Sequence, residues 1–177
     1  MKISLKEIFA FHTVRTQCHV DVLNYFAEIL GYHFPEHDND KNQEPIRTGY
    51  AFCNYARYHK GFVLLPEYEE LFQRVRTEHH NRQPHHLNYY SIPQDIPKIT
   101  LIEMVCDWHS ANFEQRFILQ DKGFDSVMDF YEQKILELGW DAAQRDFIVS
   151  LIIRLSDAQN NQDVMDIWKP TLQLSDL

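Results

Sequence analysis

The spacing of apolar residues constrains the fold of this chain more than any other feature of its sequence. Between Ser4 and Gly31, apolar side chains recur at helical spacing, at Ile8, Phe11, Val14, Cys18, Val22, Tyr25, Phe26 and Ile29. Ser4 and Glu7 have the spacing of a capping box, and Gly31 is a natural end for a helix. No stretch alternates with period two for long enough to form a strand, and residues 62–65 are expected to lead into a helix. The pattern predicts an all-α fold.

Five further helices are indicated by the same spacing and by their end signals. They are predicted at residues 45–58, 66–80, 100–117, 125–138 and 141–158. A proline can open each of the first two, and Thr100 with Glu103 has the spacing of a second capping box. The polar tail from Asn160 carries an apolar patch that is expected to dock on the body, formed by Val164, Met165, Ile167 and Trp168. We therefore expect a single domain over residues 1–177, a bundle of about six to seven helices.

The net charge and the cysteines of the chain limit the functions and the cellular compartments that are expected for it. The formal net charge of −9 argues against a nucleic-acid scaffold, which needs a basic face, but it permits a small anionic substrate. Cys18, Cys53 and Cys106 are scattered without a CxxC, which is typical of free thiols in a reducing compartment. The N-terminal segment has no long apolar run, so we expect neither a signal peptide nor a membrane span, and we predict a cytoplasmic location. The sequence also lacks P-loop, Rossmann, GxSxG and HExxH motifs.

Histidines are frequent in this chain and cluster with acidic residues. There are 10 of them, and four lie in the segment HHNRQPHH at residues 79–86. Imidazole is the commonest metal ligand in proteins, and it binds metals in its neutral form. A single histidine such as His33 or His59 is more often structural or solvated. The expectation of a metal site therefore depends on the combination of residues rather than on their number.

Asp107 lies in a predicted helix among mostly apolar neighbours, Met104, Val105, Cys106 and Trp108. Burying a carboxylate in such surroundings is costly unless the group is paired or coordinates a metal, which favours a role as a ligand. The alternative is an exposed helix face. The capping-box frame places one polar stripe along this helix, formed by Glu103, Asp107 and Ser110, apart from the apolar stripe of Leu101, Val105 and Trp108.

The order of these residues resembles that in the HD-domain superfamily of metal-dependent phosphohydrolases. There, a His, an adjacent His-Asp pair and a later Asp converge on a divalent metal, and the matching residues here are His19, His37, Asp38 and Asp107. The chain more closely resembles an uncharacterised HD-like family of bacteria and phages with the motifs HDxSK, HxxRNPHH and DW. The counterparts here are HDNDK from residue 37, HHNRQPHH from residue 79 and DW from residue 107, so Asp40 replaces a Ser and Gln83 an Asn. The resemblance covers about residues 12–115.

The resemblance implies an HD-like helical fold, a metal site and a reaction. The implied ligands of one or two divalent ions (Mn, Fe, Co, Ni or Mg) are His19, His37, Asp38, His79, His85, His86 and Asp107. A divalent metal activates water at neutral pH, so the implied function is hydrolysis of a nucleotide or another small phosphate ester, with Asp38 orienting the water. Lys41 and Arg82 are candidate catalytic cations that hold the substrate phosphate, and His86 is either a ligand or a phosphate-binding group. The alternative for each cation is an ordinary surface charge.

Other functions remain open on the same residues. HD proteins with extra histidines between the HD pair and the last Asp can hold two metals, and some resemble di-iron oxygenases rather than hydrolases. A non-catalytic interaction protein that keeps the metal for stability is the other alternative, because a fold does not fix a function. His80 is expected to point away from His79 if the helix continues there. The patch around Trp168 leaves a homodimer contact open, although packing within the chain is favoured.

Overall fold

Every regular element in the computed structural model is helical, and the structure describes residues 3–121 and 123–175. Its α-helices are α1 (Leu5–Ile29), α2 (Ile46–Tyr58), α3 (Pro66–Arg82), α4 (Lys98–Phe113), α5 (Val127–Phe130), α6 (Ala142–Ala158) and α7 (Asn161–Ser175). Within these residues the predicted all-α bundle is confirmed, and the outer ends of the predicted domain lie outside them. None of the helices so described is both long and apolar enough to cross a bilayer.

Helix α1 is central to the bundle and packs against α2, α4 and α7. It begins at the predicted capping box: Ser4 N donates to Glu7 Oε2 at 2.6 Å, and Glu7 N donates to Ser4 Oγ at 3.2 Å. The helix ends before Gly31, whose φ of 84° lies in the left-handed region that glycine adopts without strain. Both ends of α1 are therefore determined by local signals.

Apolar packing joins the helices into one body. The larger cluster links α1 to α4, α6 and α7, and its fully buried members include Phe26, Val105, Ile152 and Trp168. A smaller cluster links α1 to α2 around Phe11 and Ala51. Helices α2 and α3 approach closely at Gly49, where a Cβ atom would lie 2.5 Å from Cγ2 of Val75. This close approach brings α3, which carries the histidine-rich segment, against the rest of the bundle.

The predicted start of α4 is wrong. The capping box of Thr100 and Glu103 does not form, because α4 begins at Lys98 and Thr100 is buried within its first turn. The side chain of Glu103 instead contacts His37. Pro97 has the extended backbone of a residue that precedes a helix, so the proline sets the boundary.

The segment predicted as one helix at residues 125–138 is divided in the structure. Helix α5 continues into a π-helical stretch, Tyr131–Ile135, and then a 3-10 turn, Leu136–Leu138. A similar π-helical stretch, Glu114–Ile118, extends α4. Each π-helical turn contains one residue more than an α-helical turn, so the side chains that follow it point in other directions than regular α-helical spacing predicts. The apolar spacing of the sequence does not reveal that shift.

The tail from Asn160 forms α7, which docks on α1 with Val164 and Trp168 fully buried. The sequence predicts the docking but not the helix, because polar residues and Pro170 interrupt the apolar pattern. Since Trp168 is buried within the chain, the patch packs against the body, as favoured above.

Candidate metal centre

The structure brings together all seven predicted metal ligands, with the carboxylate of Asp38 at the centre. They come from α1 (His19), the loop after it (His37 and Asp38), the end of α3 and the turn beyond it (His79, His85 and His86), and α4 (Asp107). Asp38 has a left-handed backbone with φ of 60°, which Asp tolerates better than most residues. It opens the 3-10 turn Asn39–Asn42, in which Lys41 N donates to Asp38 O at 2.9 Å. The Asp38 carboxylate is 1% exposed.

One oxygen of Asp38 faces His19 and His37, which form with Asp107 a set of three donors that we name the His19 group. Asp38 Oδ2 lies 3.6 Å from His19 Nε2 and 3.7 Å from His37 Nε2. Asp107 Oδ1 lies 3.0 Å from His19 Nε2 and 3.7 Å from His37 Nε2. The three donor atoms of the group lie within 4.8 Å of one another, close enough to share one ion.

The other oxygen of Asp38 faces His79 and His85, which form with His86 a second set of donors that we name the His79 group. Asp38 Oδ1 lies 3.2 Å from His79 Nε2 and 3.6 Å from His85 Nε2. His86 Nε2 lies 2.9 Å from His79 Nε2, and the donor atoms of the three histidines are also within 4.8 Å of one another. Asp38 therefore lies between two donor groups and presents a different oxygen to each.

The rings of two of these histidines are oriented through their outer nitrogens. His37 Nδ1 lies 2.9 Å from Glu103 Oε1, and His79 Nδ1 lies 2.8 Å from Asp40 Oδ2. Metal-binding histidines usually fix their second nitrogen in this way, which leaves the other nitrogen for the ion. In both residues the nitrogen that faces Asp38 is Nε2.

The sequence does not identify the residues that orient these rings. It assigns Glu103 to a helix cap and marks Asp40 only as a replacement for Ser. Ser110, whose Oγ lies 3.0 Å from His19 Nδ1, has no assigned role. Yet Glu103, Asp107 and Ser110 are the polar stripe of α4, and the stripe faces the histidines. The exposed-face interpretation of Asp107 is therefore wrong, and the stripe itself was the available signal.

Three buried polar atoms in this cluster have no hydrogen-bond partner among the described residues: His37 Nε2, Asp38 Oδ1 and His85 Nε2. Such atoms are rare in folded proteins, because leaving one unpaired costs about 1–3 kcal/mol. Imidazole nitrogen and carboxylate oxygen are common ligands of divalent transition metals. Ions between these atoms would satisfy all three, so the residues present fit one or two divalent metals.

One known protein family matches a stretch of the chain that includes every residue of this cluster. A family model described as Family of unknown function (DUF5662) matches residues 8–170. The chain belongs to this family. Comparisons with curated proteins and with solved structures gave no match. Because the family description names no activity, the chemistry of this DUF5662 member has to be inferred from the site.

Charge in this DUF5662 site is concentrated in buried groups. Burial opposes ionisation of Asp38, but the charges of Lys41 and His37 outweigh it and hold the pKa of the carboxyl well below its usual range. Burial likewise opposes protonation of His37, but the carboxylates of Asp38 and Asp107 raise its pKa to about 10. For His19 burial dominates and lowers the pKa. The two imidazoles of the His19 group therefore differ in protonation at neutral pH.

The two predicted phosphate-binding cations lie in different places. Lys41 is buried in the site, where Nζ donates to Asp38 Oδ2 at 2.5 Å and lies 4.8 Å from the centre of the Tyr50 ring. Arg82 is exposed at the end of α3 and forms an ion pair with Glu78 at 2.6 Å. The structure brings Lys41 to the cluster and does not bring Arg82 there.

Helix α3 also places a further histidine at the edge of the His79 group. Because α3 continues to Arg82, His80 projects at a different angle from His79, and its ring stacks on that of His86 with centroids 4.0 Å apart. Arg76 lies one turn before His80 and is exposed. Burial first, and then the charge of Arg76, lower the pKa of His80 to about 4. Arg76 is therefore a cation close to the edge of the site.

Proposed function

We propose that this DUF5662 member is a metal-dependent phosphohydrolase that acts on a nucleotide or another small phosphate ester. The observation that carries the proposal is the position of Asp38, whose two oxygens face two adjoining sets of donors, the His19 group and the His79 group. Paired metals that share such surroundings are a recurring device for displacement at phosphorus. The resemblance of the ordered motifs to those of HD-domain phosphohydrolases supports the same reaction.

The residues divide naturally between two ions. The His19 group with Asp38 Oδ2 would hold one ion, and the His79 group with Asp38 Oδ1 would hold the other. Most of these donors are imidazoles, which suit Mn, Fe, Co or Ni better than Mg, since Mg prefers oxygen ligands and keeps several waters. The donor set therefore favours a transition metal.

A bound divalent metal lowers the pKa of water and withdraws charge from phosphoryl oxygens. The residues of the chain would support that chemistry in two ways. Asp38, between the two groups, is placed to accept a hydrogen bond from the attacking water and so to orient it. Lys41 donates to Asp38 and keeps it ionised, so in this proposal it acts on the carboxylate rather than on substrate phosphate.

Metal content and phosphate release test the proposal together. Purified protein is expected to contain one or two transition-metal ions per chain and to release phosphate from members of a nucleotide and phosphate-ester panel. His37→Ala is expected to lose metal and activity, because it removes a donor from the His19 group. His33→Ala is the matched control, since His33 is exposed and, among the described residues, pairs only with Glu28, at 3.4 Å. Unchanged metal content and activity in His37→Ala would refute the proposed site.

A di-iron oxygenase is the second candidate function. The observation that favours it is the all-imidazole composition of the His79 group, because imidazole binds iron well. Two irons per chain with oxygen consumption and no phosphate release would support this function over hydrolysis. A metal that stabilises the fold without any turnover would instead support a non-catalytic interaction protein.

We also propose a cytoplasmic location, where small phosphorylated substrates are abundant. Cys18, Cys53 and Cys106 are free, and the first and last are buried. Burial raises the pKa of all three thiols, which makes them unreactive. Free thiols of this kind are typical of proteins in reducing compartments. Fractionation of the source cells tests the location directly.

A further inference from the structure

An ion pair that is not part of the donor set is buried beside it. Arg15 Nε donates to Glu114 Oε1 at 2.8 Å, and Arg15 Nη2 donates to Glu114 Oε2, so the contact is bidentate. The side chains are 8% and 3% exposed. The hydroxyl of Tyr58 also donates to Glu114 Oε1, at 2.7 Å. Burial would raise the pKa of Glu114, but Arg15 lowers it to about 2, and the carboxylate stays ionised.

The ion pair continues a series of contacts between α1 and α4. His19, one turn after Arg15, has its Nε2 3.0 Å from Asp107 Oδ1. Ser110, one turn before Glu114, donates from Oγ to His19 O at 3.0 Å and lies 3.0 Å from His19 Nδ1. As α1 is followed from His19 back to Arg15, its partners on α4 advance from Asp107 to Glu114. The two helices are therefore antiparallel, and the ion pair is the contact next to the metal ligands.

Several elements meet at this ion pair. Tyr58 is the last residue of α2, and the Arg15 guanidinium carbon lies 6.0 Å from the ring centre of Trp168 on α7. Glu114 is the first residue of the π-helical stretch that extends α4, and its carbonyl accepts from Leu119 N at 2.9 Å. π-helical turns are frequent at functional sites. Here the turn begins at the residue that pairs with Arg15.

The known energetics of buried ion pairs indicate that this pair contributes more to the relative position of the two helices than to the stability of the fold. Replacing such a pair by apolar residues of similar volume is often neutral or stabilising, because desolvation offsets much of the attraction. A bidentate contact between arginine and a carboxylate is directional, since its donors and acceptors align in one geometry only. We infer that Arg15 and Glu114 are positioning residues, which fix α1 against α4 and thereby hold His19 and Asp107 at the spacing of the His19 group.

The inference rests on the proposed function, so its test measures metal binding directly. Cobalt(II) is the probe, because its visible absorption reports coordination geometry. Arg15→Lys keeps the charge but loses the planar fork. Arg15→Met combined with Glu114→Leu replaces the pair by apolar side chains, and Tyr58→Phe in the same variant removes the hydroxyl that would otherwise lose its acceptor. The exposed pair of Arg57 and Asp121, with Nη2 and Oδ2 3.0 Å apart, supplies the matched control Arg57→Ala.

Wild-type protein and Arg57→Ala are expected to bind cobalt with the same affinity and spectrum. Both Arg15 variants are expected to fold, and the apolar variant that also carries Tyr58→Phe to unfold at a urea midpoint close to that of wild type. They should nevertheless bind cobalt about tenfold more weakly and with altered visible bands, because the ligands are less well positioned. A pair that served stability alone would change the urea midpoint without changing the spectrum of the folded protein.

Two results would overturn the inference. One is wild-type cobalt affinity and spectrum in a folded Arg15 variant. The other is loss of the fold in both variants, because the pair would then be required for stability rather than for geometry. If wild-type protein itself bound no cobalt, the proposed function would fail and the inference with it. That outcome is distinguishable from a wild type that binds cobalt and variants that match it.

Discussion

At the scale of single residues, the oriented histidines each have an inner nitrogen that faces Asp38 and an outer nitrogen with a fixed partner. For His79 the outer partner is Asp40, with Oδ2 2.8 Å from Nδ1. A carboxylate in this position holds the ring proton on the outer nitrogen and makes the inner nitrogen a stronger donor. The charge of Asp40 therefore acts on the metal site through the imidazole.

Asp40→Asn should weaken metal binding. The substitution keeps the size of the side chain but replaces the charged acceptor of the outer nitrogen of His79 by a neutral amide. We expect manganese affinity to fall about 10–100-fold, as is usual when such a partner is removed. Isothermal titration calorimetry measures the affinity. Asp21→Asn is the matched control, since Asp21 is exposed on α1 and, within residues 3–121 and 123–175, accepts a side-chain hydrogen bond only from Gln17, at 2.8 Å. Equal affinities in both variants would contradict the role given to Asp40.

Metal binding is expected to release protons at neutral pH. The pKa of His37, raised to about 10, means that this imidazole is protonated at about pH 7, whereas a metal requires its neutral form. Because the proton and the ion compete, apparent affinity should rise with pH and level off above about pH 10. Calorimetry in buffers of different ionisation enthalpy should detect about one proton released per chain from this residue. An affinity that stays constant between about pH 6 and pH 9 would contradict this expectation.

At the scale of helices, α3 presents different residues to the site and to solvent. Arg76 and His80 are one turn apart and share a face, and His80 stacks on His86 at the edge of the His79 group. Arg82 lies about 240° around the helix from Arg76 and pairs with Glu78. Because Arg76 shares its face with His80, we expect it, rather than Arg82, to be the cation beside the histidines.

Arg76→Ala should raise the KM for a phosphate-ester probe such as p-nitrophenyl phosphate. We expect an increase of about tenfold, the usual effect of losing one charged hydrogen bond, with kcat little changed. Arg82→Ala should leave both constants unchanged, and it is a control of the same residue type on the same helix. Steady-state kinetics of the two variants measure KM and kcat and so show which arginine contributes to substrate binding. An effect of Arg82→Ala without one of Arg76→Ala would reverse the assignment.

Helix ends were predictable from the sequence where a local signal determines them. Ser4 and Glu7 cap α1 by short-range hydrogen bonds that the sequence shows directly. The same spacing at Thr100 and Glu103 is misleading, because it also occurs inside a helix whose start a proline sets. The π-helical stretches could not be predicted, since their extra residue leaves no mark in the apolar spacing.

At the scale of the whole molecule, the convergence of the proposed ligands was predictable from the sequence, and the contacts that hold them together were not. The order of motifs brings His19, Asp38 and Asp107 into one hypothesis without any knowledge of packing. Arg15 and Glu114 carry no such signal, because each is an ordinary charged residue until α1 packs against α4. Tertiary contacts between distant segments are what turn those charges into a buried pair.

Removing metal should destabilise the entire fold. An ion that binds only the folded state at 100 times its Kd adds about 2.7 kcal/mol to the free energy of unfolding. For a chain of this size, that corresponds to a rise in Tm of about 5–10 °C. Differential scanning calorimetry of chelator-treated protein, with and without added manganese, measures the shift. His37→Ala should show a smaller shift, and an unchanged Tm in wild type would contradict metal binding to the fold.

The packing of α1 against α7 joins segments that are made at very different times. Arg15 lies beside Trp168, although most of the chain separates them. During synthesis on the ribosome, α2 and α4 are available to pack on α1 before α7 is made, so the side of α1 that faces α7 stays uncovered longest, and exposed apolar surface favours aggregation. The core around α1 can close only after α7 has emerged. Folding of this protein is therefore expected to finish after translation of α7, and the side of α1 that faces α7 is the part of the nascent chain most open to misassembly.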